Sequence, residues 1–282
     1  MTLNEVYLKG RNILQEADCD APAFDTMCIL NLCFNLERQD IILHRNDVAN
    51  KVKESRFFEL ICQRAKGRPL QYILGRWNFM GNEFKIGEGV LVPRDDTEVL
   101  VNVALEHIRN IKKPQILDLC AGPGTIAISL ATRRLDASVV AVELSAVALR
   151  YLKENIKLNS AKNVTTKQAD VLFNVNSFGY DNFDLIVSNP PYIPTDDLKK
   201  LQKEVQNEPQ MALDGGKDGL KFYRAIAGGW TKLLKKESYI CVEVGQGQSQ
   251  DVINIFEQAG FIGSGAEKDL NGINRVVFAR RV

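Results

Sequence analysis

The sequence predicts an α/β fold with a mostly parallel, seven-stranded sheet, preceded by a small helical domain and a β-hairpin connector. Three observations lead to this prediction. Strand-like and helix-like segments alternate after Pro93, helical patterns alone fill roughly the first 66 residues, and a glycine-punctuated stretch separates the two regions. Alternation of strands with helices is typical of a parallel sheet that is covered on both faces.

The N-terminal region, residues 1–66, is predicted to form a small helical bundle. Thr2 and Glu5 have the spacing of a capping box, and apolar residues follow at helical intervals. Two more amphipathic segments centre on residues 24–34 and 57–61. The region contains no recognisable catalytic motif, so we expect it to recognise a substrate or to serve as packing.

The connector, residues 67–93, is predicted to contain a β-hairpin. Gly67, Arg68 and Pro69 interrupt the helical pattern, and residues 72–92 alternate between apolar and polar with repeated glycines. We therefore divide the chain into a helical domain at 1–66, a connector at 67–93 and an α/β domain at 94–282.

The α/β domain is predicted from short apolar runs separated by helical patterns. The last two runs are joined by a loop rather than a helix, which favours an antiparallel pair at one edge of the sheet. The candidate strands are 115–119, 138–142, 164–169, 183–188, 238–244, 261–265 and 274–280, and the candidate helices are 125–134, 145–159, 217–234 and 248–259.

The composition excludes several classes of protein. A chain that is 45% hydrophobic and 25% charged is expected to fold, and a net charge of +1 argues against a stable nucleic-acid partner. Its six cysteines form no C-x-x-C pair and it has two histidines, so a metal site is not expected. No signal peptide or membrane-spanning segment is apparent. We expect a cytoplasmic monomer with reduced thiols.

A cofactor site is predicted where the first strand of the α/β domain ends. Asp118 lies at the end of that strand, Gly122 and Gly124 form a tight turn, and a helix begins near Thr125. Glycines allow close approach of a ligand, and the N-terminus of a helix offers free N–H groups. The next strand ends in Glu143, which is well placed to bind a ribose.

Two alternatives apply to this turn. A dinucleotide site has the pattern G-x-G-x-x-G, but here the turn is Cys120-x-Gly122-x-Gly124 and residue 127 is alanine. The turn is therefore not shaped for a pyrophosphate. The second alternative is a packing turn that needs glycine only for its geometry.

The sequence Asn-Pro-Pro-Tyr at 189–192 directly follows the predicted strand 183–188. Adjacent prolines exclude a helix, and the carboxyl ends of parallel strands are where such sheets bind ligands. The Asn189 amide oxygen and the Pro190 carbonyl can accept both hydrogens of a planar NH₂ group, against which the Tyr192 ring can pack. This pattern favours a planar amino nitrogen awaiting alkylation. The alternative is a stiff loop with no ligand.

These motifs resemble a known family. "DLCAGPG" (118–124), "VELS" (142–145) and "SNPPYIP" (188–194) are similar to those of class I, Rossmann-like, S-adenosylmethionine-dependent methyltransferases. Segments 68–101, 204–226 and 269–277 further resemble the protein-glutamine methyltransferases that modify peptide chain release factors, the HemK/PrmC type. The resemblance runs from Arg68 to Val277, whereas the first 65 residues match only as a helical domain of suitable size.

The resemblance implies a substrate, a cofactor and a set of site residues. The substrate is the side-chain amide of the glutamine in the Gly-Gly-Gln loop of release factors, and the methyl donor is S-adenosyl-L-methionine. The residues implied at the cofactor are Cys120, Ala121, Gly122, Pro123, Gly124, Glu143, Asp170 or Val171, and Asn189. Those implied at the substrate are Asn189, Pro190, Pro191 and Tyr192, of which Asn189, Pro190 and Tyr192 are the catalytic candidates.

The sequence departs from the family pattern at several positions. Cys120 replaces the usual first glycine, Glu143 stands where aspartate is common, and Val171 stands where an aromatic residue is frequent. The roles of four further polar residues stay open between site and structural functions: Arg94, Glu98, Glu204 and Glu208.

Two other functions fit the same motifs. A DNA or RNA amino-methyltransferase carries a similar Asn-Pro-Pro-Tyr turn, but it is expected to have a target-recognition domain and a basic surface. A methyltransferase-like protein that only binds a partner need not retain both the glycine turn and Asn-Pro-Pro-Tyr.

Overall fold

The computed structural model describes residues 1–173 and 182–282, and these fall into two compact units. One unit comprises Met1–Arg76 and Leu201–Asn207, and the other comprises Trp77–Lys200 and Glu208–Val282. The division at residues 66 and 93 that the sequence indicates stays a prediction.

The helices and strands of the described residues are as follows. The helices are α1 (Leu3–Glu16), α2 (Pro22–Phe34), α3 (Arg38–Leu43), α4 (Lys51–Ala65), α5 (Leu70–Leu74), α6 (Thr97–His107), α7 (Thr125–Arg133), α8 (Ala146–Leu158), α9 (Lys203–Gln206), α10 (Lys221–Gly228) and α11 (Ser249–Gln258). The strands are β1 (Arg76–Phe79), β2 (Asn82–Lys85), β3 (Gln115–Leu119), β4 (Ser138–Glu143), β5 (Val164–Gln168), β6 (Phe183–Ser188), β7 (Leu234–Glu243), β8 (Phe261–Lys268) and β9 (Asn274–Arg281).

The first unit is helical, as the sequence predicts. The capping box at the start of α1 is present: the Glu5 N–H donates to Thr2 Oγ1 at 3.3 Å, and the Thr2 N–H donates to Glu5 Oε2 at 2.8 Å. The apolar faces of α1, α2 and α4 are buried, with Val6, Leu14, Ile29, Leu30, Phe57 and Ile61 fully inaccessible to solvent.

A buried ion pair lies within this helical unit. Arg64 Nε donates to Asp25 Oδ2 at 2.6 Å, and both side chains are almost completely buried. Arg64 Nη2 also lies 2.5 Å from Glu204 Oε2, so the guanidinium joins α4 to the segment Leu201–Asn207. A planar guanidinium can bind two carboxylates at once because its donors point in fixed directions.

The second unit contains the sheet, whose strand order is β5-β4-β3-β6-β7-β9-β8. Neighbouring strands from β5 through β7 are parallel, whereas β9 is antiparallel to both β7 and β8. The predicted antiparallel pair at the edge is therefore confirmed. The register between β8 and β9 shifts between Ile262 and Gly265, and Gly263 there has a φ of +60°. This irregularity is a β-bulge.

Several local features differ from the sequence expectation. Strand β7 begins at Leu234 rather than at residue 238, and β8 extends to Lys268 rather than to residue 265. The predicted helix 217–234 is wrong in its length, because α10 ends at Gly228 and a short 3₁₀ helix, Trp230–Leu233, follows. The hairpin is shorter than the predicted range 72–92. It consists of β1 and β2 and spans residues 76–85, and Tyr72 lies in α5. Helix α6 was not expected.

Candidate active site

The glycine turn after β3 has the backbone conformation that glycine favours. Cys120, Gly122 and Gly124 have φ values of +60°, +56° and +93°. The Ala121 N–H donates to the Val142 carbonyl at 2.9 Å, which ties the turn to the neighbouring strand. Cys120 occupies a left-handed conformation that costs a non-glycine residue about 1–2 kcal/mol, which explains why glycine is usual there.

Glu143 ends β4 and holds the turn from the side. Its Oε2 accepts the Gly122 N–H at 2.8 Å, and its Oε1 accepts the Ser145 N–H at 2.7 Å. Burial raises the pKa of Glu143, and the backbone N–H groups oppose that rise because they favour the charged form. The carboxylate is thus oriented by two backbone donors and retains lone pairs for further donors.

Asp118 supports the same turn from below. Its side chain is completely buried, and Oδ2 accepts the Ala127 N–H of α7 at 3.0 Å. Burial raises the pKa of Asp118 well above its ordinary value, and the nearby charge of Glu143 adds to the rise. Asp118 therefore joins the end of β3 to the first turn of α7.

The Asn-Pro-Pro-Tyr segment follows β6 and belongs to a chain of polar contacts. Asn189 Nδ2 donates to Thr97 Oγ1 at 3.3 Å, and the Thr97 hydroxyl donates to Glu243 Oε2 at 2.6 Å. The Tyr192 hydroxyl donates to Glu243 Oε1 at a longer 3.5 Å. The contacts join the N-terminus of α6 to the carboxyl ends of β6 and β7.

Glu243 is a site residue that the sequence reasoning missed. It is the last residue of β7 and is buried, and its burial raises its pKa to about 7. The signal for it was available, because Glu243 is an acid near the carboxyl end of the predicted strand 238–244. That is the same observation that identified Glu143 on its own strand.

A cavity of about 300 Å³ brings the two predicted ends of the site together. It lies at the carboxyl ends of the parallel strands, where ligands bind in open α/β sheets. Its lining includes most of the predicted site residues: Cys120, Ala121, Gly122, Pro123, Glu143, Asp170, Val171, Asn189 and Pro191. Gly124, Pro190 and Tyr192 are not part of this lining, although they flank residues that are.

A buried glutamate fixes one wall of this cavity. Glu208 accepts the Val92 N–H at 2.8 Å through Oε2 and forms an ion pair with Arg94 through Oε1. Val92 and Arg94 both line the cavity. Two of the residues with open roles, Arg94 and Glu208, therefore hold each other at the wall, while Glu98 accepts the Met80 N–H at 3.2 Å.

Known families match both regions of the chain. A family model described as the PrmC N-terminal domain matches residues 5–75, and one described as the Methyltransferase small domain matches residues 95–216. A release factor glutamine methyltransferase of Clostridium acetobutylicum is 35% identical over 100% of this chain and 99% of its own length. One of Geobacter sulfurreducens is 38% identical over 99% of this chain and 96% of its own length.

The chain belongs to the release factor glutamine methyltransferase family. Its fold is also that of a solved structure, the hMettl16 catalytic domain in complex with MAT2A 3′UTR hairpin 6. That structure has a TM-score of 0.60 and 14% identity, and the match covers 79% of this chain and 82% of the other. The family assignment favours the glutamine methyltransferase over the nucleic-acid methyltransferase that the sequence left open.

Two further observations concern the described residues of this methyltransferase. None of the helices in the described part of the chain is long and apolar enough to cross a membrane. Within residues 1–173 and 182–282, no group of three His, Cys, Asp or Glu side chains is arranged to hold a metal ion. The cytoplasmic location, the monomeric state and the lack of a nucleic-acid partner stay predictions.

Proposed function

We propose that the protein transfers a methyl group from S-adenosylmethionine to the side-chain amide nitrogen of the glutamine in the Gly-Gly-Gln loop of peptide chain release factors. The observation that carries the proposal is that the glycine turn, Glu143 and Asn189 line the same cavity. The family membership supplies the substrate class.

The cavity residues fit this cofactor. An added Cβ at Gly122 would meet no protein atom within 4 Å, so glycine leaves open space over the turn. Gly124, the residue before α7, makes no side-chain cap, and Asp118 binds only the Ala127 N–H, so in the proposal the first two N–H groups of α7, those of Thr125 and Ile126, bind the carboxylate of the methionine moiety. Glu143 is the acceptor for the ribose hydroxyls, and Asp170 and Val171 lie at the adenine. The bound cofactor supplies an electrophilic methyl group on its sulfonium.

Asn189 and Pro190 orient the substrate amide. In the proposal, Asn189 Oδ1 and the Pro190 carbonyl accept the two hydrogens of the glutamine amide and so favour positive charge on its nitrogen. Fixing the nitrogen in line with the donor supplies about 7–11 kcal/mol of barrier reduction. No general base is needed before transfer because the methylated amide loses a very acidic proton afterwards. This is consistent with a site that contains no histidine.

The test is methyl transfer from labelled S-adenosylmethionine to a purified release factor. A release factor whose loop glutamine is replaced by alanine and a duplex DNA are run in parallel. Label on the intact release factor alone supports the proposal. Label on DNA contradicts it, and cofactor binding with no transfer to any release factor supports the binding-only alternative.

Asn189→Ala tests the role of the amide in this reaction. We expect the barrier to transfer to rise by about 2–4 kcal/mol, as when an electrostatic anchor of a transition state is removed. Cofactor affinity, measured by calorimetry, should change less. Unaltered turnover would contradict the assignment of Asn189.

A further inference from the structure

We infer that Thr97 and Glu243 act together as a positioning pair that fixes which atom of the Asn189 side chain faces the substrate. The inference rests on the proposed function and adds to it two residues that touch neither reacting atom. It follows from the directions of the hydrogen bonds among Thr97, Glu243 and Asn189 and from the burial of Thr97 and Glu243.

The Thr97 hydroxyl points towards Glu243. Thr97 has one hydroxyl proton, and Oγ1 lies 2.6 Å from Glu243 Oε2, which in its ionised form can only accept. The proton is therefore committed to Glu243. Thr97 is almost fully buried and Glu243 is buried, so water does not compete well for this bond.

The direction of the Thr97 hydroxyl fixes the orientation of the Asn189 amide. Because its proton is committed, Thr97 Oγ1 can only accept from Asn189, whose Nδ2 lies 3.3 Å away. An amide that presents Nδ2 to Thr97 must direct Oδ1 elsewhere, because the two atoms lie in one plane on opposite sides of the Cβ–Cγ bond. Oδ1 is the atom that the proposed reaction needs for the substrate NH₂ group. In a flipped Asn189, Nδ2 would instead face the substrate NH₂ group, and both of these groups are hydrogen-bond donors.

The orientation of the Asn189 amide depends on the protonation state of Glu243. When protonated, Glu243 can donate to Thr97, whose own proton is then free to bond Asn189 Oδ1 and to favour the flipped amide. Burial raises the pKa of Glu243 to about 7, so both states are accessible near neutral pH. The charged and titratable groups that act on it are Arg275 of β9, Asp96 before α6, Tyr192 after β6 and Tyr223 of α10. Arg275 favours the ionised form, and Asp96 opposes it.

Thr97→Val tests the pair by removing the hydroxyl at nearly constant volume. We expect kcat to fall about 10- to 100-fold, by analogy with the loss of residues that orient the side chains of metal ligands, with KM for the release factor within about twofold. Thr97→Ser restores the hydroxyl and should recover most of the rate. Thr231→Val is the matched control. The hydroxyl of this buried threonine donates to the Ala227 carbonyl at 2.8 Å, and Thr231 does not line the cavity.

The pH dependence of kcat distinguishes a positioning role of Glu243 from a purely structural one. In the wild type, kcat should fall as the pH decreases through about 7, because protonation of Glu243 releases the orientation of Asn189. Glu243→Gln has no such ionisation, so its lower kcat should lack this inflection. The pair is overturned if Thr97→Val keeps wild-type kcat, or if Glu243→Gln keeps the same inflection.

A readout without methyl transfer separates this inference from the proposed function. Side-chain amide signals of Asn189 in nitrogen-15 NMR should show slow exchange of the Nδ2 protons in the wild type and faster exchange in Thr97→Val. If the wild type modifies no release factor, the proposed function fails, yet this difference still supports the pair. Identical exchange in the two proteins overturns the pair whatever the substrate is.

Discussion

Two glycines in the same turn are required for different physical reasons. An added Cβ at Gly122 would enter the open cavity, whereas one at Gly124 would overlap Leu152 Cδ1 and crowd Ile128. Both residues have positive φ values, so both pay a backbone penalty on replacement. The contrast lets binding and stability be tested separately within three residues of chain.

We expect Gly122→Ala to weaken cofactor binding at least tenfold while lowering the free energy of unfolding by only about 1–2 kcal/mol. Gly124→Ala should cost more stability, because the left-handed conformation and the overlap with Leu152 add together. Calorimetric titration with S-adenosylmethionine and urea unfolding measure the two effects. If the loss of cofactor affinity were in the same proportion to the loss of unfolding free energy in both variants, the two glycines would not have separate roles in binding and stability.

Glu243 should make stability depend on pH in a predictable direction. Its pKa is raised from 4.5 to about 7 in the folded protein, so the folded chain binds a proton that the unfolded chain has lost. The contribution of Glu243 to the free energy of unfolding is fully present below pH 4.5 and is lost as the pH rises through about 7. The urea midpoint of the wild type should therefore fall relative to Glu243→Gln across this range. A constant difference between the two proteins would show that Glu243 titrates normally.

At the scale of elements, Asn155 joins three parts of the α/β unit. Its Oδ1 accepts the Lys85 N–H at 2.7 Å, and its Nδ2 donates to the Lys85 carbonyl at 3.1 Å and to the Pro123 carbonyl at 2.9 Å. The side chain lies on α8 and is fully buried. It therefore ties the hairpin strand β2 and the glycine turn to one helix.

We expect Asn155→Ala to lower the free energy of unfolding by about 2–3 kcal/mol, because it removes a buried hydrogen bond to the Pro123 carbonyl and two partly buried ones to the Lys85 backbone. It should also weaken cofactor binding, since Pro123 lines the cavity. Asn254→Ala on α11 is the control, because that exposed asparagine makes one surface hydrogen bond. Chemical denaturation of the two variants decides the matter, and similar small losses would contradict the role of Asn155.

Most strands could be predicted closely from the sequence, whereas helix α6 and the start of β7 could not. Strands β3 and β6 have the predicted bounds, because buried parallel strands are continuous apolar runs. Helix α6 was missed because it follows directly after the glycine-punctuated connector, and its residues 99–105 include three valines, which favour strands over helices.

The candidate site shows the same limit. Strand-end rules located Glu143 and Asn189, because each follows a recognisable apolar run. The hydrogen bond between Thr97 and Glu243 joins residues separated by 146 positions. Local patterns carry no information about such a pairing, which depends on how α6 packs beside β7.

At the scale of the whole molecule, the segment Leu201–Asn207 belongs to the helical unit although its flanking residues belong to the α/β unit. Within the helical unit, Gln202 Nε2 donates to Asp20 Oδ2 at 3.1 Å and Asn207 Nδ2 donates to the Gly67 carbonyl at 3.1 Å. Glu204 adds its ion pair with Arg64. The division into units therefore does not follow the order of the chain.

We expect Glu204→Ala to loosen this segment selectively, because the variant removes its ion pair with the buried guanidinium. Hydrogen exchange monitored by mass spectrometry should accelerate in residues 201–207 and stay unchanged in β3. Lys203→Ala is the control, since that exposed lysine precedes Glu204 on the same short helix. Unchanged exchange in residues 201–207 of Glu204→Ala would show that the ion pair does not hold the segment.

The bulge in β8 affects the tendency of this protein to aggregate. Strands β5 and β8 form the two edges of the sheet, and an exposed edge is a template on which another chain can add a strand. Gly263 breaks the regular spacing of β8, and β5 is only five residues long and includes Lys167. Neither edge offers a long, flat row of backbone groups, so the fold itself resists edge-to-edge aggregation at high concentration.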